Sequence, residues 1–321
     1  MNPKNARNKY LKIRFSMKKG VSIILTAWNT QDYIKECLDS IMKQTFFKSG
    51  NYEILLGIDG CGKTLNKVKE ILPNYPNLKV FFFPKNAGTY IVSNTLALMA
   101  QYKYILRFDT DDIMEPDMVK TMFEYAEQND SDILLCKLRT FVSSTKKENS
   151  SSCTGHGQIF VKNDIFREFG GFRPFMCGAD TEFEKRVGPF VNSHVVEKVL
   201  FKYRKHTTNL TVKSDTGMYS DYRKNIHAFL VYELENYIKE REDARIKCVT
   251  AACCKMDETG ELEDPVTIEP VNAELPDKFA EYMALPAEIH KKYAKGTLPG
   301  AETVLPNGYI RRKAQTSWIG F

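Results

Sequence analysis

The fold of this chain is decided by the stretch Arg107-Phe108-Asp109-Thr110-Asp111-Asp112-Ile113-Met114-Glu115-Pro116. It follows the apolar run 102–106, which predicts a buried strand, and its last residue, Pro116, is suited to the first turn of a helix. Three carboxylates therefore stand at the carboxyl end of a strand, the edge at which an open α/β sheet binds ligands. A divalent cation is the simplest group to offset their mutual repulsion. A solvated turn in which Asp112 caps the next helix is the alternative that residue types alone leave open.

The composition is that of a folded protein with room for one large domain and a smaller appendage. The chain has 321 residues, of which 43% are hydrophobic and 12% aromatic. This is enough apolar material for a substantial core. The net charge of +6 results from 46 basic and 40 acidic residues, so the basic excess is modest. Part of it lies in residues 1–20, which we interpret as a basic terminal segment.

The sequence also bears on the compartment of the protein. Residues 1–20 have no apolar core long enough for a secretion signal, and no run of eighteen apolar residues, the length of a membrane helix, occurs in the chain. The 8 cysteines are scattered and mostly lie in apolar segments, as is typical of buried, reduced thiols. These features predict a cytoplasmic protein without a membrane span.

Apolar runs alternate with helical patterns through the first half of the chain. The runs that predict strands are 21–28, 52–58, 78–83 and 102–106. Turn residues follow each of the first three, and then apolar positions spaced three and four apart, the pattern of one helix face. This alternation predicts an α/β fold with a mostly parallel, doubly wound sheet flanked by helices.

The second half of the chain continues the alternation and then changes character. Strands are predicted at 132–141 and 195–203, helices at 161–169 and 216–243, and an exposed polar loop at 143–154. Gly170-Gly171 supply a stop signal for the first of these helices. From residue 245 prolines recur and periodic patterns are short. We therefore divide the chain into the basic segment 1–20, a main domain at 21–244 and an appendage of uncertain fold at 245–321.

One motif points to a different class of enzyme. Residues 57–64, with the sequence GIDGCGKT, match the phosphate-loop pattern GxxxxGK[ST] between a predicted strand and a predicted helix. On its own the motif predicts a nucleotide kinase or NTPase, in which Asp109 would supply the magnesium-binding carboxylate. A complete strand-helix unit precedes the motif, whereas a phosphate loop usually follows the first strand of its domain. The kinase stays open as an alternative.

A larger set of segments resembles the family 2 glycosyltransferases, which have the GT-A fold. The segments are, in order, VSIILTAWN (21–29), EILLGIDG (53–60), KNAGTYIVSNTLA (85–97), YILRFDTDDIMEPDM (104–118), FGGF (169–172) and GADTEFEKR (178–186). The resemblance runs from about Val21 to Leu210. It implies an enzyme that moves a sugar from a nucleoside diphosphate sugar, a UDP sugar by preference, to an acceptor hydroxyl on a glycan.

The resemblance also implies a nucleotide site at the strand ends. The residues it assigns to this site are Thr26, Trp28, Asp59, Asn86, Asp109 and Asp111. Family members often carry an acidic pair at the end of the second strand, of which only Asp59 is present here, because Ile58 fills the other position. Trp28 could stack on a base, and ordinary core packing is the alternative for its ring.

The same resemblance implies a divalent metal, Mn²⁺ or Mg²⁺, that offsets the charge growing on the diphosphate leaving group. The ligands it implies are Asp111, Asp112 and His206, with Asp109 completing the DxD pattern. Oxygen ligands suit these cations. Which of the three aspartates touches the ion directly stays open.

A general base is needed because an acceptor hydroxyl is a poor nucleophile. Family members usually carry a Glu-Asp pair at this point of the chain. Ala179 fills its first position here, so Asp180 is the catalytic base that the resemblance implies, for a reaction that inverts the anomeric centre. A helix-capping role is the alternative for Asp180, and Glu182 and Arg186 are expected to orient the helix or the acceptor.

Two further classes of protein have less support in the sequence. A sugar nucleotidyltransferase would carry a glycine-rich, arginine-containing first loop, whereas the first strand here ends in TAWNT (26–30). A nucleic-acid-binding protein, or a glycosyltransferase that acts on DNA, would draw only on the modest basic excess.

Overall fold

The computed structural model of the protein describes residues 17–49 and 51–294. Its first half alternates strands and helices: β1 (Lys18–Ala27), α1 (Ile34–Met42), β2 (Tyr52–Asp59), α2 (Gly62–Ile71), β3 (Leu78–Phe83), α3 (Thr89–Met99) and β4 (Tyr102–Asp109). The predicted α/β alternation of this half is confirmed. Residues 1–16 of the predicted basic segment and 295–321 of the predicted appendage lie outside the described residues.

The second half continues with β5 (Ile113–Met114), α4 (Met118–Asn129), β6 (Ile133–Val142), β7 (Glu148–Lys162), α5 (Asn163–Glu168), α6 (Ala179–Val187), β8 (Ser193–Lys205) and α7 (Asp221–Asn236). The last elements described are β9 (Cys253–Met256), β10 (Leu262–Val266), α8 (Lys278–Met283) and α9 (Ala287–Ala294). Among residues 17–49 and 51–294, no helix is long and apolar enough to cross a membrane.

Within the described part of the chain, these ten strands form one sheet in the order β10-β9-β3-β2-β1-β4-β7-β6-β8-β5. Its centre, β3-β2-β1-β4, is parallel, and antiparallel pairs flank it on both sides. β1 is buried on both faces, since Ile23 packs into one hydrophobic cluster and Ile24 into another. Thr26 of β1 lies opposite Gly57 of β2 and Asp109 of β4. The carboxyl ends of these strands therefore meet at one edge.

The predicted loop 143–154 is corrected by the structure. It is exposed, as expected, but β7 begins within it at Glu148 and pairs with β6, for example through Ser152 and Arg139. Its serines and Asn149 carry little strand signal of their own, so the pairing with β6 overrides local preference.

The predicted helix 161–169 begins too early. Val161 pairs with Ile105 of β4 and with Ile133 of β6, so it belongs to the sheet, and helix α5 begins at Asn163. The stop signal is confirmed, because Gly170 has a φ of 77°, a backbone conformation that favours glycine.

The predicted long helix 216–243 is shorter in the structure. It begins at Asp221, where the hydroxyl of Ser220 caps it by accepting the backbone N–H of Arg223 at 3.2 Å, and it ends at Asn236.

The described part of the appendage packs against the rest of the chain. β9 pairs with β3, with Met256 opposite Val80. Helices α8 and α9 cover α7, where the ring centroid of Tyr282 lies 5.4 Å from that of Phe229. These residues extend the central sheet, and a domain boundary at residue 244 stays a prediction.

Candidate active site

The carboxyl ends of β1, β2 and β4 carry three of the predicted site residues: Thr26, Asp59 and Asp109. Parallel strands in register bring their ends together, so side chains far apart in sequence line one crevice. Trp28, Asp111 and Asp112 follow these strands, and Asn86 follows β3. His206 and Asp180 reach the same edge from β8 and α6.

Asp59 binds the loop that precedes α3. Its Oδ1 accepts the backbone N–H of Ala87 at 2.6 Å and its Oδ2 accepts that of Gly88 at 3.0 Å. The side-chain amide of Asn86 donates to the backbone carbonyl of Asp59 at 3.3 Å. Burial raises the pKa of Asp59, although the two N–H groups favour the charged form. Asp59 and Asn86, both predicted for the nucleotide site, are therefore in hydrogen-bond contact.

Thr26 and Trp28 differ in their exposure. Thr26 is buried, and its hydroxyl lies 2.7 Å from that of Thr89 at the start of α3. The side chain of Trp28 is 46% exposed, and the ammonium group of Lys213 lies 4.7 Å from the centre of its ring. Trp28 therefore lies at the surface and not in the core.

Asp109 is paired with a buried arginine from its own strand. The guanidinium of Arg107 donates to both carboxylate oxygens of Asp109, at 2.6 and 2.9 Å. It also donates to the carbonyl of Gly157 at 2.6 Å and to the hydroxyl of Thr89 at 3.0 Å. A bidentate pair of this kind neutralises the carboxylate and fixes its direction.

Asp112 is fully buried and engaged at both oxygens. Oδ1 accepts the backbone N–H of Arg204 at 2.8 Å, and Oδ2 accepts the side-chain amide of Gln158 at 2.6 Å. Burial raises the pKa of Asp112 well above its usual range, and the nearby carboxylates of Asp111 and Asp109 add to that rise. Helix α4 begins only at Met118, so the alternative of Asp112 as its cap finds no support.

Asp111 and His206 form a partly exposed pair. Asp111 Oδ2 lies 2.9 Å from His206 Nε2, and the amide of Asn209 donates to the same oxygen at 3.3 Å. The other ring nitrogen, Nδ1, lies 2.8 Å from the hydroxyl of Thr208. The Asp111 side chain is 19% exposed, so of the two aspartates that follow Asp109 it is the one open to a ligand.

Asp180 reaches the crevice from the first turn of α6. Gly178, with a φ of 76°, precedes the helix, and Asp180 Oδ1 accepts the backbone N–H of Thr181 at 2.7 Å. A Cβ atom built on Gly157 would lie 3.5 Å from Asp180 Oδ2 and 3.6 Å from Asp109 Oδ2. The two carboxylates therefore face one small space beside Gly157.

Glu182 and Arg186 lie beneath Asp180 in a buried ion-pair network. Glu182 Oε1 accepts from Arg173 Nε at 3.0 Å and from Arg186 Nε at 2.5 Å, and Arg173 also pairs with Glu233 of α7. All four side chains are buried. The network holds α6 against α7 and agrees with the expectation that Glu182 and Arg186 orient the helix.

The residues that the sequence did not single out are Arg107, Gly157, Gln158 and Arg204. Arg107 could have been found from the sequence, because it is a charged residue inside an otherwise apolar run. Gln158 could not, since 46 positions separate it from its hydrogen-bond partner Asp112 and no sequence motif links the two.

The phosphate-loop alternative finds no support. The side chain of Thr64 is fully buried, and its hydroxyl accepts the backbone N–H of Thr30 at 3.1 Å and donates to Cys61 Sγ at 3.3 Å. It is not available to a metal ion. Gly57 has a packing role instead, because a Cβ there would lie 2.4 Å from Val92 of α3.

Comparison with known proteins identifies the family and the fold. The family model described as "Glycosyl transferase family 2" matches residues 22–228. Glycosyltransferase GlyG of Streptococcus pneumoniae is 27% identical over 120 residues, which is 37% of this chain and 39% of that protein. The poly(ribitol-phosphate) beta-N-acetylglucosaminyltransferase TarP of Staphylococcus aureus is 31% identical over 127 residues, 38% of this chain and 37% of that protein. These matches thus span less than half the length of either relative.

Two solved structures share the fold. S. aureus TarS 1-349 in complex with UDP-GlcNAc has a TM-score of 0.56 at 18% identity, over 70% of this chain and 69% of that one. The mannosyltransferase PcManGT from Pyrobaculum calidifontis, in complex with GDP-Man and Mn²⁺, has a TM-score of 0.55 at 13% identity, over 70% and 67% of the two chains. This likeness confirms the predicted GT-A fold.

Proposed function

Since this chain belongs to glycosyl transferase family 2, we propose that it is a metal-dependent, inverting glycosyltransferase that uses a nucleoside diphosphate sugar. The observation that carries the proposal is that two sets of side chains lie at the same edge of the sheet. The Asp111–His206 pair supplies ligands for a cation, and Asp180 faces the space beside Gly157. A cation for the leaving group and a base for the acceptor are the two elements that such a transfer needs.

The donor set of Asp111 and His206 fits a divalent metal. A carboxylate oxygen and an imidazole nitrogen stand 2.9 Å apart, and the backbone N–H of Thr208 donates to the other ring nitrogen, Nδ1, at 3.3 Å. Nε2 therefore carries the proton that it donates to Asp111, and a metal bound there would displace that proton. Among residues 17–49 and 51–294, no three His, Cys, Asp or Glu side chains group closely enough to hold an ion by themselves. The diphosphate of the donor would therefore complete the coordination. A divalent cation held there supplies positive charge to the diphosphate as it leaves.

We assign metal contact to Asp111 and His206, and a supporting role to Asp112. The Asp112 carboxylate has no exposed surface and already accepts two hydrogen bonds. Removing it from these partners would leave buried donors unpaired. Mn²⁺ or Mg²⁺ is the proposed cation, because both bind carboxylate and phosphate oxygens.

Thr26, Trp28, Asp59 and Asn86 form the proposed nucleotide side of the crevice. The exposed ring of Trp28 offers a face on which a base can stack. Asp59 acts through the main chain of the loop ahead of α3, which it fixes with two hydrogen bonds. UDP is the proposed nucleotide, on the ground that TarS was solved with UDP-GlcNAc.

Asp180 acts as the general base in this proposal. It takes the proton from the acceptor hydroxyl, whose oxygen forms a bond to the anomeric carbon while the bond from that carbon to the diphosphate oxygen breaks. Attack opposite the leaving group inverts the anomeric centre. The Asp109 carboxylate, fixed by Arg107, is positioned to accept a hydrogen bond from the donor sugar. A glycan is the proposed acceptor, and a cytoplasmic location stays a prediction.

The direct test is release of nucleoside diphosphate from a panel of UDP and GDP sugars with MnCl₂ and saccharide acceptors. We expect acceptor-dependent release that EDTA stops. No release and no binding of any donor, together with tight binding of ATP, would overturn the proposal in favour of the kinase.

A further inference from the structure

We infer that Gly157 keeps open the space that the donor sugar occupies between Asp109 and Asp180. The inference rests on the proposed function, because it assigns the sugar of the nucleotide sugar to a definite place in the crevice. It makes residue 157 a position that determines which donors fit.

The first observation concerns what a side chain at this position would meet. A Cβ on Gly157 would lie 3.5 Å from Asp180 Oδ2 and 3.6 Å from both Asp109 Oδ2 and Arg107 Nη1. These are ordinary contact distances, so a methyl group fits without displacing any protein atom. It would nevertheless fill part of the space that these three groups share.

The second observation is that neither backbone nor packing requires glycine here. Gly157 lies in a strand and has no positive φ, whereas Gly170 and Gly171 both do. Gly155, two residues earlier in β7, has a packing reason, because a Cβ there would lie 2.5 Å from the ring of Phe201. What the missing side chain provides at Gly157 is therefore room.

The third observation is the chemistry of the lining. The nearest groups are two carboxylates and a guanidinium, and the guanidinium is already bound to Asp109 and to the Gly157 carbonyl. Carboxylates accept hydrogen bonds, so this space suits the hydroxyl groups of a sugar ring better than an apolar or anionic group. It also lies between the proposed base and the DxD pattern, where the anomeric carbon has to be during transfer.

Binding measurements test the inference without an acceptor. Wild type, Gly157→Ala and Gly62→Ala are titrated by calorimetry, with MnCl₂, against UDP, GDP, UDP-glucose, UDP-N-acetylglucosamine and GDP-mannose. Gly62→Ala is the matched control, because a Cβ there meets nothing within 4 Å. We expect Gly157→Ala to bind the free diphosphate like wild type but the corresponding nucleotide sugar about tenfold more weakly or worse, the effect of one methyl in a filled contact.

Each outcome decides between the two proposals. Unchanged affinity of Gly157→Ala for the nucleotide sugar, or an equal loss for the diphosphate and its sugar, would overturn the role of Gly157 alone. A wild type that binds none of the nucleotides would overturn the proposed function and this inference with it. Thermal unfolding checks that the alanine variant is folded, and Gly157→Ser, whose hydroxyl can bond to the carboxylates, takes its place if it is not.

Discussion

Replacing Arg186 with methionine should destabilise the protein strongly. The side chains of Arg186 and Glu182 are both fully buried, four residues apart on α6. Arg186 also donates to the carbonyls of Phe169 at 3.0 Å, Gly171 at 2.8 Å and Ala244 at 2.7 Å. One guanidinium thus ties the helix of Asp180 to the turn at Gly170-Gly171 and to Ala244, the last residue of the predicted main domain.

The magnitude follows from the charge that is left behind. Burial alone would raise the pKa of Glu182, and the charges of Arg186 and Arg173 lower it instead. Without Arg186, Glu182 keeps one partner and three buried carbonyls lose a donor. Removing one member of a buried pair costs about 3–5 kcal/mol. For a chain of 321 residues the unfolding entropy corresponds to about 1.5 °C per kcal/mol, so Tm should fall by about 5–8 °C.

The assay is denaturant and thermal unfolding of Arg186→Met beside a matched control. Lys35 and Asp39 on α1 have the same spacing of four residues, but their side chains are 56% and 41% exposed. Lys35→Met should cost about 0.5 kcal/mol or less. A Cm shift for Arg186→Met no larger than that for Lys35→Met would refute the reasoning, since the buried network would then contribute nothing beyond a surface pair.

The remaining predictions concern the site and its pH dependence. Asp180→Asn should lower the rate of transfer by about 10²–10⁴-fold with unchanged UDP affinity, and full activity would remove Asp180 as the base. Asp111→Asn and His206→Ala should each weaken Mn²⁺ binding by about tenfold or more, as measured by metal titration. Burial raises the pKa of Glu184, but its hydrogen bond with His156 lowers it to about 2, and the same bond outweighs burial and raises the pKa of His156. Glu184 contributes to the free energy of unfolding above pH 4.5, and this contribution is lost as pH falls. His156 contributes to it below pH 6.5, and this contribution is lost as pH rises. His156→Gln should therefore lower the free energy of unfolding most between pH 4.5 and 6.5, and a pH-independent difference would contradict this.

The parallel centre of the fold could be predicted because its strands are buried on both faces. Such strands are largely apolar runs, and two of them end on an acidic residue, Asp59 of β2 and Asp109 of β4. Knowing that the strands are parallel is enough to place these residues at one edge. Local pattern therefore predicted the edge of the sheet at which these residues lie, whereas their roles were implied by the family resemblance.

Strand β7 could not be predicted in the same way. Its first half is a polar ribbon paired to β6, with no apolar alternation to mark it. The residues that complete the crevice, Gly157 and Gln158, lie on this strand. Their contacts with the acidic stretch depend on how β7 is placed beside β4, which is a property of the whole sheet and not of any segment.

The three aspartates differ in their partners, which come in part from three strands of the sheet, β4, β7 and β8. Asp109 is neutralised by Arg107 of β4, and Asp112 gives its oxygens to Gln158 of β7 and to the backbone of β8. Asp111 also has protein partners, since the amide of Asn209 and the imidazole of His206 both lie against its Oδ2. The side chains of Asp109 and Asp111 are both partly exposed, at 30% and 19%, and Asp111 is the one that lies beside an imidazole. Each of the three carboxylates thus has donors from the protein, and what distinguishes Asp112 is that it has no exposed surface on which a ligand could act.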